Sequence, residues 1–200
     1  MNFLAHAYLS GNNDDIRFGN MIGDFIKGNR HEKFSSDVQK GILMHRDIDS
    51  FTDSHPIIAE TRKLFYEKYH KYAGIILDII WDHFLASNWE KHSEKSLYAF
   101  SRHTYLVLVK NYSLIPSRVI LFLSYMIVND WLTSYKDIEF IKRTFNRMPY
   151  RTSLPPEGKF AIRVLKNNYE YLGEQFDILI KDLKEYIGNK YDISYYCKSL

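Results

Sequence analysis

The chain has 200 residues, of which 46% are hydrophobic and 16% aromatic, which excludes an intrinsically disordered protein and suits a single domain over residues 1–200. The formal net charge of +3 at pH 7 does not indicate nucleic-acid binding, and no apolar run reaches the roughly 18 residues that a membrane span needs. One cysteine, Cys197, excludes an internal disulfide, and the start lacks the features of a signal peptide, which predicts a cytoplasmic protein.

The first predicted helix covers residues 1–9. Asn2 is a candidate N-cap, and apolar residues follow it at helical spacing. His6 lies among these apolar residues, where a histidine is more often a hydrogen-bonded core residue than a ligand. Residues 10–15 are polar and predict a loop that leads to a second helix.

The second predicted element covers residues 16–28, in which Asp24 lies on a different line from the apolar residues. Gly19 and Gly23 would let another segment approach the backbone closely, at a cost of about 1 kcal/mol each in helix stability. These features make Asp24 a candidate metal ligand. The alternative is an i, i+3 salt bridge between Asp24 and Lys27 on an exposed face.

The next predicted helix, around residues 41–53, carries a stripe of three ionisable residues. His45, Asp49 and Asp53 follow one another at i, i+4 and i+8, beside an apolar face. An imidazole and two carboxylates are groups that bind a divalent cation or transfer protons. The alternative is a solvent-exposed face that ends where Asp53 or Ser54 caps the following helix.

Residues 74–86 predict a helix that is apolar on nearly every side and is therefore buried. This helix carries Asp78 and Asp82 one turn apart, with His83 beside the second acid. A buried ionised carboxylate costs several kcal/mol unless a cation, an arginine or a shared proton compensates it. A metal ion would satisfy both acids. The alternative is that one acid pairs with an arginine or a tyrosine hydroxyl while His83 makes a buried hydrogen bond.

The remaining sequence predicts further helices and no sheet. A proline-rich break is expected at residues 146–156, and helices are expected at about 56–72, 97–112, 117–135, 138–145 and 158–187. The sequence contains no Asn-Gly or Asp-Gly hairpin dipeptide, no glycine-rich nucleotide-binding loop and no G-x-S-x-G motif. We therefore predict an all-α protein, a single-domain helical bundle.

Five ordered blocks of sequence carry a family resemblance. They are Met1-Asn-Phe-Leu-Ala-His6, Gly19-Asn-x-x-x-Asp-Phe25, Gly41-Ile-x-x-His-Arg-x-Ile-Asp49, Phe51-Thr-Asp53 and Leu77-Asp-x-x-x-Asp-His-Phe-Leu85. Together these blocks resemble the acyl carrier protein phosphodiesterase family. The resemblance covers roughly the first ninety residues and continues more loosely through residues 131–141.

The resemblance implies an all-helical, HD-like metal phosphohydrolase. Such an enzyme would remove the 4′-phosphopantetheine arm from holo acyl carrier protein, giving the apo protein, and would use a divalent metal such as Mn²⁺. The HD superfamily is named for an adjacent His-Asp pair, whereas His45 is followed here by Arg46, and the adjacent pair at residues 82 and 83 is Asp-His. The metal ligands are therefore proposed for this chain and are not carried over from HD enzymes.

The candidate site residues divide into metal ligands and catalytic groups. Imidazole and carboxylate ligands for one or two Mn²⁺ or Mg²⁺ ions are expected on His6, Asp24, His45, Asp78 and Asp82. A bound ion would activate a water and neutralise charge on the phosphodiester. The catalytic groups are expected on Asp24, Arg46, Asp49 and His83. Asp49 or His83 would pass a proton to the leaving serine oxygen, and Arg46 would hold a phosphate oxygen.

A basic segment between residues 142 and 166 is the candidate surface for a protein partner. It contains one acid, Glu157, and seven basic residues, which are Lys142, Arg143, Arg147, Arg151, Lys159, Arg163 and Lys166. Such a segment would suit an acidic helical protein, and acyl carrier proteins are acidic. A solvated face and weak nucleic-acid attraction are the alternatives.

Two other functions are compatible with the same residues. One is a helical metal-binding regulatory protein without turnover. The other is an HD-like phosphohydrolase that keeps the metal site but acts on a nucleotide or another small phosphate ester. Only the carrier phosphodiesterase would remove the prosthetic group from a holo carrier.

Overall fold

The computed structural model describes residues 1–150 and 152–196, so Arg151 and Cys197 lie outside the described residues. Within these ranges there is no strand, and the eleven α-helices are α1 (Phe3–Leu9), α2 (Asp14–Ile22), α3 (Ser36–Ser54), α4 (Pro56–Tyr69), α5 (Ala73–Ser87), α6 (Leu97–Lys110), α7 (Ser117–Val128), α8 (Trp131–Ser134), α9 (Ile138–Arg147), α10 (Gly158–Asn167) and α11 (Tyr169–Tyr191). The predicted all-α fold is confirmed. None of the helices in these ranges combines the length and the apolar character needed to cross a bilayer.

Helices α2 and α3 pack with their backbones almost in contact. A Cβ atom on Gly19 would lie 2.1 Å from the main-chain oxygen of Val38, and one on Gly41 would lie 2.1 Å from the main-chain oxygen of Ile16. No larger residue fits either position unless a backbone moves. The close approach expected at Gly19 is confirmed, and it aligns the end of α2 with the middle of α3.

Helix α5 crosses the core, as its apolar sequence predicts. Between residues 76 and 86 every residue except Asp78 is buried, and the helix packs against α1, α4, α9 and α11. Trp81 is fully buried and stacks on Phe176 of α11 with ring centroids 6.2 Å apart. The packing of α1 on α5 determines where His6 lies.

Two of the predicted helices are interrupted in the structure. The range 158–187 was expected to be one helix but divides at Asn168, whose side-chain Nδ2 donates to the carbonyl of Val164 at 2.9 Å. The range 117–135 was also expected to be continuous, but α7 ends at residue 128 and Asp130 has a left-handed φ of 46°. A left-handed residue cannot continue a right-handed helix.

Helix α4 begins at Pro56, and its N-cap is His55. The Nδ1 atom of His55 accepts a hydrogen bond from the N–H of Ile57 at 3.3 Å. The alternative that Asp53 or Ser54 caps this helix is therefore wrong. Asp53 instead pairs with Arg62 of α4 at 2.5 Å.

Candidate metal centre

Two histidines and two aspartates converge at the junction of α1, α2 and α3. One oxygen of Asp49 lies 3.2 Å from Nε2 of His6, and its other oxygen lies 3.2 Å from Nε2 of His45. A carboxylate oxygen of Asp24, in the 3₁₀ turn that follows α2, lies 3.3 Å from the same Nε2 of His45. The two imidazoles stack with centroids 4.0 Å apart and are both buried.

Asn20 contacts the Nδ1 atoms of both imidazoles. Its side-chain Oδ1 lies 2.8 Å from Nδ1 of His6, and its main-chain oxygen lies 2.8 Å from Nδ1 of His45. Its Nδ2 donates to the carbonyl of His6 at 2.9 Å and to Oγ of Ser10 at 3.0 Å, which assigns Oδ1 as the acceptor. Both Nδ1 atoms therefore carry protons, and both Nε2 atoms face the carboxylates.

The glycines of α2 and α3 make this arrangement possible. A Cβ on Gly23 would lie 2.4 Å from Cγ of His45, so only glycine leaves room for the imidazole. One on Gly41 would also lie 2.8 Å from the main-chain nitrogen of Asn20. Because the two helices touch here, a main-chain carbonyl of α2 reaches a side chain of α3.

The charges of the cluster are strongly coupled. Burial, together with the neighbouring His45, lowers the pKa of His6 to about 4. Burial would also lower the pKa of His45, but the Asp24 and Asp49 carboxylates beside its Nε2 raise it to about 9. The same two histidines outweigh burial and hold the pKa of Asp49 well below its usual range. One imidazole is therefore charged at neutral pH, because two stacked imidazolium ions would repel each other.

The donor set fits a divalent cation. One nitrogen of His6, one nitrogen of His45 and one oxygen of Asp49 all lie within 4.8 Å of one another. Ligand atoms around one divalent ion at about 2.1 Å are about 3 Å apart, close to the spacings seen here. The Nε2 atom of His45 is buried and makes no well-directed hydrogen bond to any described residue. A cation placed between this nitrogen and the carboxylates would satisfy all three groups.

Asp78 and Asp82 on α5 have different surroundings. Asp78 is partly exposed and accepts a hydrogen bond from the Met1 ammonium at 2.8 Å. Asp82 is fully buried, and its two oxygens accept from the N–H groups of Leu4 at 2.8 Å and Ala5 at 3.1 Å. Burial raises the pKa of Asp82 to about 7 even though both hydrogen bonds lower it. Asp82 therefore binds the N-terminus of α1 and sets the position of His6 through that helix.

His83 and Arg46 also bind elsewhere. Nδ1 of His83 lies 2.8 Å from the carbonyl of Tyr135, and its Nε2 lies 3.0 Å from the hydroxyl of Tyr169. Arg46 donates to the carbonyls of Ile26 at 3.0 Å and Gly28 at 2.8 Å. The structure thus brings together His6, Asp24, His45 and Asp49, and it uses Arg46 to support the segment that follows Asp24.

Sequence reasoning gave Asn20 no role, and its final assignment placed Asp49 among the proton carriers and not among the metal ligands. An asparagine has no metal-ligand spacing of its own that could mark it. Its position directly after Gly19 was the one available signal, because a glycine that allows two backbones to touch also exposes its neighbour's carbonyl. Asp49 bridges the two imidazoles because α1 brings His6 beside α3. The two helices are distant in sequence, so local spacing could not predict this position.

Two adjoining pockets open from the cluster. The smaller, of about 210 Å³, is lined by His6, Asp24, His45 and Asp49 together with Asp53 and Asp78. The larger, of about 1010 Å³, shares five lining residues with the first, which are Met1, Asn2, Phe3, Asp24 and Asp78. Its other walls combine aromatic side chains with two arginines, which are Phe122, Trp131, Phe140, Arg143 and Arg147. A long flexible ligand could therefore extend from the cluster into a mixed apolar and basic pocket.

The predicted basic segment is divided between helices. Arg143 and Arg147 of α9 line the larger pocket, while Lys142 pairs with Glu139 at 3.0 Å. Lys159 and Arg163 belong to α10, and Arg151 lies outside the described residues. Among the members of the segment that the structure describes, only Arg143 and Arg147 therefore line either of these pockets.

The fold and the cluster define an all-helical protein with a candidate divalent-metal centre. A family model described as acyl carrier protein phosphodiesterase matches residues 1–183. The chain belongs to the acyl carrier protein phosphodiesterase family, a family of phosphodiester hydrolases.

Relatives from several bacteria carry the same description. The chain is 39% identical to an acyl carrier protein phosphodiesterase of Photorhabdus laumondii over 152 residues, 76% of this chain and 77% of the relative. It is 36% identical to one of Yersinia enterocolitica and 33% identical to one of Shigella boydii, each match covering 88% of this chain and 92% of the relative. No solved structure matches the chain.

Proposed function

We propose that this protein is a metal-dependent phosphodiesterase that removes the 4′-phosphopantetheine arm from holo acyl carrier protein and leaves the apo protein. The observation that carries the proposal is the pair of imidazoles, His6 and His45, joined by the Asp49 carboxylate at the floor of a pocket. Family membership supplies the substrate class. The adjoining larger pocket supplies room for the arm.

His6, His45 and Asp49 would hold the ion, with Asp24 completing the ligand set from the edge of the pocket. Mixed imidazole and carboxylate ligation suits Mn²⁺, with Mg²⁺ as the alternative. The ion, when bound, supplies Lewis acidity for the phosphodiester and a water that ionises near neutral pH. Asn20 contacts Nδ1 of both histidines and so turns both Nε2 atoms toward the ion.

The other acids would support the chemistry in different ways. Asp78 lies on the wall that both pockets share, so we assign to it the transfer of a proton to the leaving serine oxygen. Loss of hydration raises its pKa although the Met1 ammonium lowers it, and the net rise favours a proton on this group. Asp49 is better placed to bind the ion than to carry that proton, because both its oxygens already face imidazoles. Arg46 acts by holding the turn that carries Asp24.

The carrier would approach from the mouth of the larger pocket. Arg143 and Arg147 line this pocket and match an acidic protein in charge. Lys142, Lys159 and Arg163 extend the basic region along α9 and α10. The arm would lie between the aromatic wall and the shared residues, with its phosphate at the imidazoles.

Mass spectrometry tests the proposed function. Purified protein is incubated with holo acyl carrier protein and Mn²⁺, with and without a chelator, and the carrier is weighed. Loss of the prosthetic-group mass only when metal is present supports the proposal. Bound Mn²⁺ without any mass loss would favour the regulatory alternative, and hydrolysis of a nucleotide ester in its place would favour the other phosphohydrolase.

Removal of Asn20 should weaken metal binding. We expect Asn20→Ala to lower Mn²⁺ affinity about 10- to 100-fold, because the His6 imidazole loses the side-chain oxygen that orients it, while His45 keeps its contact to the main-chain oxygen. Asn20→Asp keeps an acceptor oxygen for Nδ1 of His6 and should bind more tightly than the alanine variant. Calorimetric titration measures both. Asn111→Ala is the control, because the Asn111 amide donates to the Val107 carbonyl of the preceding helix and to no other described residue. An equal loss there would contradict the role of Asn20.

Metal binding should release a proton. The pKa values of about 4 for His6 and about 9 for His45 mean that, without metal, one imidazolium is present across this range. A cation must displace the proton on Nε2 of His45, so apparent affinity should rise about tenfold per pH unit as pH increases toward 9. Titrations at pH 7 in two buffers of different ionisation enthalpy count the protons. Binding without proton release would contradict the assignment of His45 as a ligand.

A further inference from the structure

The outer face of α7 is apolar and exposed. Leu121, Tyr125 and Val128 recur at i, i+4 and i+7 and therefore share one side of the helix. Leu121 is 84% exposed and Val128 is 82% exposed, the highest values among the exposed leucine, isoleucine and valine side chains that the structure describes. Contiguous exposed apolar residues of this kind mark contact surfaces in soluble proteins.

The same helix forms part of the larger pocket. Phe122 and Tyr125 line that pocket, so the exposed face of α7 continues into its wall. At the start of the helix, Arg118 donates to the carbonyl of Phe25 at 2.5 Å, beside Asp24. A protein that inserts a flexible group into the pocket along this wall would contact α7.

Basic residues of α9 line another part of the pocket. Arg143 lies 3.4 Å from the exposed Asp137, a weak pairing in water. Arg147 makes no ion pair with any residue that the structure describes. The pocket thus has an apolar helix face on one wall and two positive charges on another. This combination fits an acidic protein with an apolar contact patch, and it does not fit an uncharged or basic one.

We propose that the outer face of α7, together with Arg143 and Arg147, is the docking surface for the carrier protein whose arm enters the larger pocket. This proposal rests on the proposed function and deepens it by naming the surface that the protein part of the substrate covers. Apolar contact with Leu121 and Val128 supplies affinity, and the two arginines orient the acidic partner. None of these four residues lines the smaller pocket at the imidazoles.

Binding of apo carrier isolates this surface, because apo carrier has the protein surface but not the arm. The double variant Leu121→Ser/Val128→Ser should weaken apo-carrier binding about tenfold and raise KM for holo carrier by a similar factor, with kcat unchanged. Its Mn²⁺ affinity and its hydrolysis of bis(p-nitrophenyl) phosphate should equal those of the unmodified protein. The variant Arg143→Gln/Arg147→Gln should weaken binding and reduce its dependence on salt.

A matched control uses α6. Leu106 and Val109 are each 56% exposed and do not line either of the two pockets described above, so Leu106→Ser/Val109→Ser should leave carrier binding unchanged. Equal effects of the α6 and α7 variants would overturn the proposal. The proposal would also be overturned if the unmodified protein were a dimer and the α7 variant were a monomer with unchanged KM. A second copy of the chain would then cover this face. If arm removal continues while α7 substitutions change nothing, the docking surface fails and the proposed function stands. If the unmodified protein does not remove the arm, both fail.

Discussion

Replacing Asp49 with alanine should abolish high-affinity metal binding and lower hydrolysis of the carrier at least about 1,000-fold. In the part of the chain that the structure describes, Asp49 is the one carboxylate that contacts both imidazoles, with one oxygen 3.2 Å from each. Without it the remaining ligands are two stacked imidazoles and the more exposed Asp24, whose side chain is 61% exposed. Calorimetric titration with Mn²⁺ and a single-turnover assay measure the two losses separately.

Asp47→Ala is the matched control for this prediction. Asp47 lies two residues before Asp49 on α3, but it pairs with Lys190 at 2.7 Å and accepts a hydrogen bond from Tyr191. Its removal takes one negative charge from the same helix without altering the cluster, so metal affinity should be retained. Retained metal binding in Asp49→Ala, or an equal loss in Asp47→Ala, would exclude Asp49 as a ligand.

Replacing Gly41 with alanine should destabilise the fold by about 3 kcal/mol. A Cβ at this position would lie 2.1 Å from the carbonyl oxygen of Ile16 and 2.8 Å from the nitrogen of Asn20. Both atoms belong to the backbone of α2, so the clash cannot be relieved by a side-chain rotation. The two helices must separate, which also moves the carbonyl that holds His45. Urea unfolding measures the free energy, and Mn²⁺ titration measures the effect on the cluster.

Gly173→Ala provides a control of opposite sign. The nearest atom to a Cβ at Gly173, in α11, is a ring carbon of Phe84 at 3.4 Å, an ordinary contact. Alanine is favoured over glycine in a helix interior by about 1 kcal/mol, so this variant should be more stable than the unmodified protein. If Gly41→Ala were also neutral or stabilising, the contact between α2 and α3 would not be as tight as described.

Much of the fold could be predicted because helix formation and burial depend on residues within a few turns. Apolar residues at threes and fours predicted the all-α architecture, and the continuous apolar sequence around Trp81 predicted a buried α5. The i, i+4 spacing of His45 and Asp49 placed both side chains on one face of α3. The breaks at Asn168 and Asp130 could not be predicted in this way, because each depends on one residue leaving helical geometry within an otherwise helical pattern.

The ligand set depended on partners distant in sequence. Asp82 and Asp49 are both acids next to apolar residues, and local sequence favours Asp82 as the ligand because its helix is more apolar. In the structure, however, the N–H groups of Leu4 and Ala5, 78 and 77 residues away, already occupy both oxygens of Asp82. A buried acid needs a compensating charge or donor, but its own segment does not specify which.

The sequence by itself determined that this protein is helical, that α5 is buried and that α3 presents an imidazole and a carboxylate together, because these properties follow from spacing along one helix. Only the tertiary structure decided that His6 stacks on His45, that Asp49 joins them and that Asn20 holds both. These contacts require α1, α2 and α3 to meet within a few ångströms. That approach depends on glycines whose missing side chains matter only once a second helix lies against them.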